Sequence, residues 1–480
     1  MVANIFDPLV KLGRDLEPLP GAAQGWQASR GGRRYTFQLR SDMRWSDGSR
    51  VTARDYAYAW RRVLDPKMKS PQAPRLFGIS GAVAYNSCVA DSCSALAADL
   101  GLHARDARTL VVDLAAPRPW FPAETAHPAF LPVHRSTVER LGEGWAQADT
   151  LVTNGPFELE SADEGAIVLV KNRSFRAARS VSLGRVVGRV MPDPRARVQA
   201  FDAGEVMALD AGPLPTSDLP ALRERQEYEV YPALGSYLYA FNLKSVRDVN
   251  QRRAMALAVN RSAILANVVQ SDMLPATRFT PTAVPGFGHA EESPWLPPEG
   301  DLSEARRLLR RAAAVEERVT LLHVDAPGNR DIAVGLRAAW QQLGIETTIR
   351  ARAAEDYLDF RGPLSRDSVD LYQLDLRYPF ADAAPGLSLW TCRSDRNKTN
   401  FCRVRFDELV AEARREEDAS ARQVLATRAE EVLSGADGAL PGIPIYWHTR
   451  TNLEALPVRE TFAVSPLGQI DLAAVELTDG

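Results

Sequence analysis

The sequence predicts an α/β protein with at least two lobes. Its 480 residues exceed the roughly 250 to 300 residues beyond which a single hydrophobic core tends to divide. After residue 300, strand and helix patterns alternate, which favours a parallel sheet covered by helices. Nearer the start, a strand pattern runs through a turn into a helix. Both periodicities are therefore present, in more chain than one core accommodates.

The earliest clear elements are a strand, a turn and a helix. Residues 35–39 alternate apolar with polar side chains, as a half-buried strand does. The segment Ser46-Asp-Gly48 predicts a turn, because glycine adopts positive φ without strain. Thr52, followed three residues later by Asp55, predicts the N-terminus of a helix, and apolar residues then recur at helical spacing up to residue 64.

Later elements extend this pattern to the end of the chain. Two strands, a helix with a strand, and one long helix are expected at residues 102–114, 166–170, 195–209 and 248–264, respectively. Residues 301–349 predict helix, strand, helix and strand, with Gly344 at the C-terminal cap of the second helix. Helices at 404–416 and 420–434 precede a strand at 443–447.

Charge and hydrophobicity argue against nucleic acid and against a membrane-spanning segment. The chain has 58 basic and 61 acidic residues, for a net charge of −3, and no basic block suggests a phosphate-tracking face. No run of about 18 apolar residues predicts a transmembrane helix. Residues 1–7 show neither the charged start nor the apolar run of a signal peptide.

The four cysteines form two local pairs, Cys88 with Cys93 and Cys392 with Cys402. Neither pair has the CxxC spacing of a redox motif. The two short polar loops predict two disulfides formed in an oxidising compartment, which favours export. Four reduced structural thiols are the alternative, and a shared zinc site would require the fold to join the two distant pairs.

No enzyme signature is present in the sequence. It lacks a GxxxxGK[ST] phosphate loop, a GxSxG nucleophile motif and an HExxH zinc helix. The histidines are scattered, at positions 103, 127, 134, 289, 323 and 448, without the spacing of metal ligands. A catalytic pair of carboxylates from distant segments stays open, because such pairs form in space. We expect no metal, no cofactor and no enzymatic activity.

The segment FQLRSDMRWSDGSRVTARDYAYAWRRVLDP, residues 37–66, resembles the signature of one protein family. Thr153-Asn-Gly-Pro-Phe157 and residues 248–264 are similar to two further elements of that family. The family is the oligopeptide-binding, family 5 extracytoplasmic solute receptors of ABC transporters. The resemblance runs discontinuously from about residue 5 to about residue 450 and is strongest in the first of these segments.

The resemblance implies a two-lobe periplasmic-binding-protein fold, similar to type II, with a hinge and an extra subdomain in lobe 1. It places lobe 1 at residues 1–240, with the extra subdomain at about 26–150. Lobe 2 is expected at residues 241–445, and residues 446–480 return to lobe 1. The family's first strand has no counterpart before residue 1, which we attribute to a start codon placed too far downstream rather than to a site open on one side.

The function implied by the resemblance is that of a receptor for an ABC importer. Such a receptor captures a peptide or peptide-like ligand between its lobes by hinge closure and delivers it to a membrane permease. A monomer in the periplasm or another extracytoplasmic space is expected. The alternatives are a hydrolase that uses the interlobe cleft and a ligand-sensing domain. The sensor is less favoured, because sensors built on this lobe carry a DNA-binding helix-turn-helix ahead of it, whereas the resemblance places residue 1 inside the receptor region.

The resemblance also indicates where ligand contacts are expected. The candidates, from the segments 237–242 and 375–390, are Tyr237, Tyr239, Asn242, Asp375, Arg377, Tyr378, Asp382 and Trp390. In the family, a peptide is held by backbone hydrogen bonds to sheet edges, and an aspartate anchors its free amino terminus. The best alignment places Arg377 at the position of that aspartate, which inverts the local charge.

Three interpretations of the inverted charge stay open. On a strand, Asp375 and Arg377 share one face, so they can pair with each other. Alternatively, a two-residue shift in the alignment gives Asp375 the anchoring role, and Asp382 is a third candidate. We therefore hypothesise that the ligand lacks a free α-amino group or presents an anionic group near Arg377.

Overall fold

A computed structural model describes residues 2–13, 16–89, 93–210, 212–287, 295–358 and 369–478. The chain divides into two compact units. Unit 1 comprises residues 1–215, 222–229 and 452–480, and unit 2 comprises residues 216–221 and 230–451. The chain therefore crosses between the units at 215/216, 221/222, 229/230 and 451/452, whereas the sequence placed the lobe boundaries near 240 and 446.

Unit 1 contains three antiparallel sheets among its described residues. The strands are β1 (Val10–Leu12), β2 (Pro18–Pro20), β3 (Ala23–Ser29), β4 (Arg34–Leu39), β5 (Leu102–Ala104), β6 (Thr109–Asp113), β7 (Phe157–Ala162), β8 (Ala166–Lys171) and β9 (Arg185–Arg189). They pair as β1-β2, β3-β4-β6-β5 and β7-β8-β9. The first 25 residues thus contain the short two-stranded sheet β1-β2.

The predicted strand, turn and helix near the start of unit 1 are confirmed. Alternate residues of β4 are buried, and Gly48 has a φ of 85° in the turn that follows. The helix Ala53–Leu64 begins after Thr52, whose backbone N–H donates to the Asp55 carboxylate at 2.7 Å. The indole of Trp60 donates to the carbonyl of Phe130, so this helix is tied into the core of unit 1.

The remaining helices of unit 1 are short. They are Val2–Ile5, Ala82–Asn86, Cys93–Ala98, Phe121–Glu124, Arg135–Leu141, Pro194–Asp202 and Leu456–Arg459, while Leu219–Leu222 extends across a unit boundary. Within the described residues, every helix of the protein is too short or too polar to span a lipid bilayer.

Unit 2 is built on a six-stranded sheet. Its strands are β10 (Tyr228–Phe241), β11 (Leu274–Pro275), β12 (Arg318–Val324), β13 (Glu346–Arg352), β14 (Leu371–Arg377) and β15 (Gly442–Leu453), in the order β11-β15-β10-β14-β12-β13. β12 is parallel to β13 and β14, as the βαβ pattern predicts, but β10 pairs with β14 antiparallel. The sheet is therefore mixed, and the expectation of a parallel sheet holds for three of its strands.

The helices of unit 2 alternate along the chain with the strands of this sheet. They are Val249–Leu257, Arg261–Ile264, Leu302–Leu309, Asn329–Gln341, Ala354–Leu358, Ala383–Leu387, Val404–Ala413 and Ala419–Ser434. The helix Asn329–Gln341 connects β12 to β13, and Gly344 follows it with a φ of 79°, as expected for a C-terminal cap.

The single long helix predicted at 248–264 is wrong. The helix from Val249 ends at Leu257, and the carbonyl of the Asn260 side chain caps the next segment by accepting from the Ala263 N–H at 2.8 Å. The fully buried guanidinium of Arg261 then donates to the carbonyl of Pro444 and to two carbonyls of the preceding helix region. The break thus places a buried cation where it satisfies backbone acceptors.

Both predicted disulfides are present. Cys88 is bonded to Cys93, and Cys392 is bonded to Cys402. The second closes a loop in which the Asn397 amide donates to three backbone carbonyls. The alternatives of reduced thiols and of a shared zinc site are therefore wrong.

Candidate functional site

Three adjacent strands of unit 2 bring distant residues onto one face of the sheet. In the antiparallel pairing of β10 with β14, Gly235 lies opposite Arg377, Tyr237 opposite Asp375 and Tyr239 opposite Gln373. Strand β15 lies on the other side of β10, and its Tyr446 ring stacks on the ring of Tyr237, with centroids 4.7 Å apart. Residues two apart on each strand point to the same side, so the three strands build a continuous surface.

An ionic cluster of three side chains lies on this face. Arg377 approaches the Asp375 carboxylate with two nitrogens, Nε at 2.9 Å from Oδ1 and Nη2 at 3.1 Å from Oδ2. The buried His448 imidazole donates from Nε2 to Oδ1 of the same carboxylate at 3.0 Å. The pairing of Asp375 with Arg377, one of the interpretations left open by the sequence, is what the structure has.

The electrostatics of the cluster favour an ionised Asp375. Burial raises the pKa of this carboxyl, but the hydrogen bond and charge of His448, and then Arg377, outweigh it and leave the pKa below its usual value. The Asp375 side chain is 38% exposed and that of Arg377 is 56% exposed. The guanidinium is therefore the most accessible charged group of the cluster.

Gly235 makes room for this arrangement. A β-carbon added there would lie 2.7 Å from His448 Cδ2 and 3.2 Å from Arg377 Cδ. Both side chains thus pack directly over the bare backbone of β10, on either side of the position where a larger residue would stand. Glycine in the interior of a strand commonly marks such a close approach.

A group of buried tyrosines adjoins the cluster. The Tyr237 hydroxyl donates to Oδ1 of Asn329 at 3.1 Å and lies 3.4 Å from the Tyr239 hydroxyl. Tyr446 packs edge-on against the His448 ring, with centroids 5.1 Å apart. Burial raises the pKa of Tyr237 well above its ordinary value, so its hydroxyl stays neutral. Tyr237 and Tyr239 therefore support the cluster from within the unit.

The cluster lies where ligands bind in many α/β proteins. Arg377 is the last residue of β14, a strand whose neighbour β12 is parallel to it and ends at Val324. Asn329, the first residue of the following helix, contacts Tyr237 beside the cluster. In open α/β sheets, ligands bind outside the carboxyl ends of the parallel strands.

The other predicted site residues make internal contacts. Asp382 begins the helix Ala383–Leu387, and its Oδ2 lies 2.6 Å from Nε of Arg422, with both side chains largely buried. Trp390 is buried and stacks on Phe279 at 4.9 Å. Both side chains thus have partners within unit 2, and their contact with a ligand stays a prediction.

Tyr378 and Asn242 are also held by neighbours within unit 2. The Tyr378 ring is buried and leaves no space for a side chain at Gly386. The Asn242 side chain accepts from the Lys244 backbone N–H at 3.1 Å and donates to the Val369 carbonyl at 3.3 Å. Of the eight predicted residues, Asp375 and Arg377 on β14 are exposed, whereas the other six side chains are buried or partly buried among neighbours of unit 2.

Sequence reasoning missed Gly235 and His448. His448 is 73 positions from Asp375, and only the sheet order β15-β10-β14 brings the two together. The one available signal was the spacing of Gly235 two residues before Tyr237, on the same face of the strand.

No metal centre is formed by the described residues, in which no group of three or more His, Cys, Asp or Glu side chains is suitably placed. His289 lies outside the described residues.

Comparison with known proteins agrees with this architecture. The family described as bacterial extracellular solute-binding proteins, family 5 Middle, matches residues 17–398. The dipeptide-binding protein DppE of Bacillus subtilis (strain 168) is 29% identical over 98% of this chain and 86% of its own length. The probable deoxycholate-binding periplasmic protein YgiS of Escherichia coli (strain K12) is 31% identical over 93% of this chain and 83% of its own.

A solved structure is similar across both units. It is the periplasmic murein tripeptide-binding protein MppA in an unliganded open form, with a TM-score of 0.86 and 26% identity. The similarity covers 99% of this chain and 92% of that one. The predicted two-lobe fold is confirmed by this match.

Proposed function

Because this chain belongs to the bacterial extracellular solute-binding proteins of family 5, we propose that it captures a peptide or peptide-like ligand and delivers it to the permease of an ABC importer. The family match over residues 17–398 carries the proposal. The ligand class follows the names of relatives, among them a dipeptide-binding protein and a murein tripeptide-binding protein. We infer that the protein acts as a monomer without catalysis.

The face of unit 2 around Arg377 supports a binding role. An ion pair at the carboxyl end of a parallel strand, flanked by buried tyrosines, provides fixed polar groups on a rigid surface. The ion pair lies on β14, His448 on β15, and Tyr237 and Tyr239 on β10, so the geometry is held by the sheet rather than by a loop. We propose that the leading end of the ligand contacts this face.

Delivery by hinge closure is supported by the course of the chain. The long strands β10 and β15 each contain one crossing between the units, at 229/230 and 451/452. Connections of this kind concentrate bending in a few residues, as in other two-lobe binding proteins. We propose that ligand binding stabilises a closed form and that the permease recognises it.

The extracytoplasmic location is part of the same proposal. The family is described as extracellular, and a periplasmic location is stated for relatives. Two disulfides suit an oxidising compartment. We therefore place the protein in the periplasm or an equivalent extracytoplasmic space.

The test is calorimetric titration with a panel of dipeptides to pentapeptides, followed by mass spectrometry of the recovered ligand. We expect one peptide bound per chain and its recovery unchanged. Recovery of cleaved peptide would instead identify a hydrolase. Heat of binding from none of the peptides would contradict the proposal.

Deoxycholate belongs in the same panel, because it is named as the probable ligand of a relative that is 31% identical. If the protein binds deoxycholate and none of the peptides, the proposed ligand class changes from a peptide to an apolar carboxylic acid. A matched control is Arg307→Gln, which removes a partly exposed ion pair with Glu304 in a separate helix of unit 2. This variant is expected to bind every ligand as the unaltered protein does.

A further inference from the structure

We propose that Arg377 donates hydrogen bonds to an oxygen at the leading end of the ligand. The preferred ligand is then a peptide whose amino terminus is capped by a carboxylate-bearing acyl group. This inference rests on the proposed function as a peptide receptor. It concerns the charge of the ligand's first group: a carboxylate bound by an arginine would replace the free ammonium bound by an aspartate that the resemblance implies.

The supply of hydrogen-bond donors is the first argument. A guanidinium has five N–H donors, and two nitrogens of Arg377 face the Asp375 carboxylate. About three donors are therefore left over, on a side chain that is 56% exposed. In the described part of the chain, Asp375 is the one carboxylate that Arg377 contacts within 4 Å.

The supply of acceptors is much smaller. A carboxylate has about four acceptor positions, and three contacts to Asp375 come from His448 Nε2, Arg377 Nε and Arg377 Nη2. An incoming ammonium has three donors and would find about one free position. An incoming carboxylate would find several N–H groups of a planar fork that matches its two oxygens.

The charges of Asp375 and Arg377 compensate each other. Asp375 is already neutralised by Arg377, and the buried His448 donates to the same oxygen. The neighbouring hydroxyls of Tyr237 and Tyr446 are neutral, because burial raises the pKa of both. Because Asp375 and Arg377 neutralise each other, the ligand's first group is selected by the hydrogen-bonding groups that stay open, and most of these are the remaining N–H donors of Arg377.

The guanidinium is also held in place before a ligand arrives. The Arg377 side chain passes over Gly235, where an added β-carbon would meet its Cδ at 3.2 Å. Its fork is fixed by Asp375, which is in turn fixed by His448. A preorganised donor loses little conformational entropy on binding.

The experiment uses the full chain and three forms of one peptide: trialanine with a free amine, N-acetyl-trialanine and N-succinyl-trialanine. Dissociation constants are measured by calorimetry for the unaltered protein, Arg377→Gln, Arg377→Lys, Asp375→Asn and the control Arg307→Gln. For the unaltered protein we expect the N-succinyl form to bind at least about tenfold more tightly than the free amine.

The variants are expected to change specificity in opposite directions. Arg377→Gln should weaken N-succinyl-trialanine about 10- to 100-fold and leave the free-amine form unchanged or tighter. Arg377→Lys, which keeps the charge but loses the planar fork, should fall between the two. Asp375→Asn should tighten the N-succinyl form, because removing the competing negative charge from the guanidinium outweighs the weaker hold on its position. Arg307→Gln should leave all three constants unchanged.

Two outcomes overturn the inference and are distinguishable. If the free-amine peptide binds most tightly and Arg377→Gln does not change its affinity, the role assigned to Arg377 is refuted. The proposed function as a peptide receptor would be unaffected by this outcome. Failure of all three peptides, and of the wider peptide panel, would refute the proposed function together with this inference.

Discussion

Gly235→Ala is the substitution that tests the packing of the site most sharply. The added methyl group would lie 2.7 Å from His448 Cδ2, whereas ordinary contacts begin at 3.4 Å, so the ring must retreat by about 3.4 − 2.7 = 0.7 Å. His448 is buried against Tyr446 and bonded to Asp375 at 3.0 Å, and a shift of this size weakens that hydrogen bond. The long side chain of Arg377 can move, but the imidazole has little space.

The expected magnitude combines two opposing effects. Overpacking of this kind destabilises by about 1–3 kcal/mol, whereas replacing glycine by alanine restricts the unfolded chain and stabilises by about 0.4–1 kcal/mol. The net prediction for Gly235→Ala is a loss of about 1–2 kcal/mol in unit 2. That loss corresponds to roughly 5- to 30-fold faster hydrogen exchange where exchange occurs by opening of the sheet.

Hydrogen exchange measured by mass spectrometry on peptides from β10, β14 and β15 is the suitable assay, because it localises the effect to unit 2. The matched control is Gly25→Ala in β3 of unit 1, where an added β-carbon meets nothing within 4 Å. A double variant of Gly235→Ala with His448→Ala removes the clash, so its loss should be smaller than the sum of the two single losses. Protection in Gly235→Ala equal to that of the unaltered protein would refute the packing argument.

Three further predictions concern folding and pH. Arg261→Met removes the guanidinium donors from the buried carbonyls of Pro444 and Val259, whereas the Ala256 carbonyl keeps the Val259 backbone N–H as a donor. The variant should lower the free energy of unfolding by about 2–3 kcal/mol in urea titration, and an unchanged midpoint would contradict this. Opening the second disulfide with Cys392→Ser and Cys402→Ser should cost about 2–3 kcal/mol, and a denaturation midpoint equal to that of the oxidised protein would show the bridge to be dispensable. The pKa of Asp375 is lowered on folding, so its contribution to stability is present above its unfolded pKa of about 3.8 and is lost as pH falls through the folded value. The difference in unfolding free energy between the unaltered protein and Asp375→Asn should therefore be largest near neutral pH and should shrink below about pH 4. A difference that stays constant with pH would refute this.

Local signals made much of the fold predictable. The strand β4, the turn at Gly48 and the helix after Thr52 depend on residues within a few positions of one another, and all three were predicted correctly. The disulfides were predicted for the same reason, because each pairs cysteines at short separation. The break after Leu257 was missed because its cause is a buried arginine bonded to a distant strand, which no helical periodicity records.

The site was only partly predictable. Asp375 and Arg377 are two residues apart on one strand, so the period of a strand made their pairing one of the three interpretations left open. His448 and Gly235 reach them through the order of strands in a mixed sheet, which is set by long-range pairing rather than by local sequence. Trp390 is buried against Phe279, and the ligand contact that the resemblance implies for it stays a prediction.

The most direct test of the central claim is mass spectrometry of the small molecule that copurifies with the native protein. The account predicts a short peptide with a capped or acidic leading end, released intact and lost from Arg377→Gln. An intact peptide with a free amino terminus, retained by Arg377→Gln, would contradict the role assigned to Arg377. A ligand with no peptide character would contradict the proposed function itself.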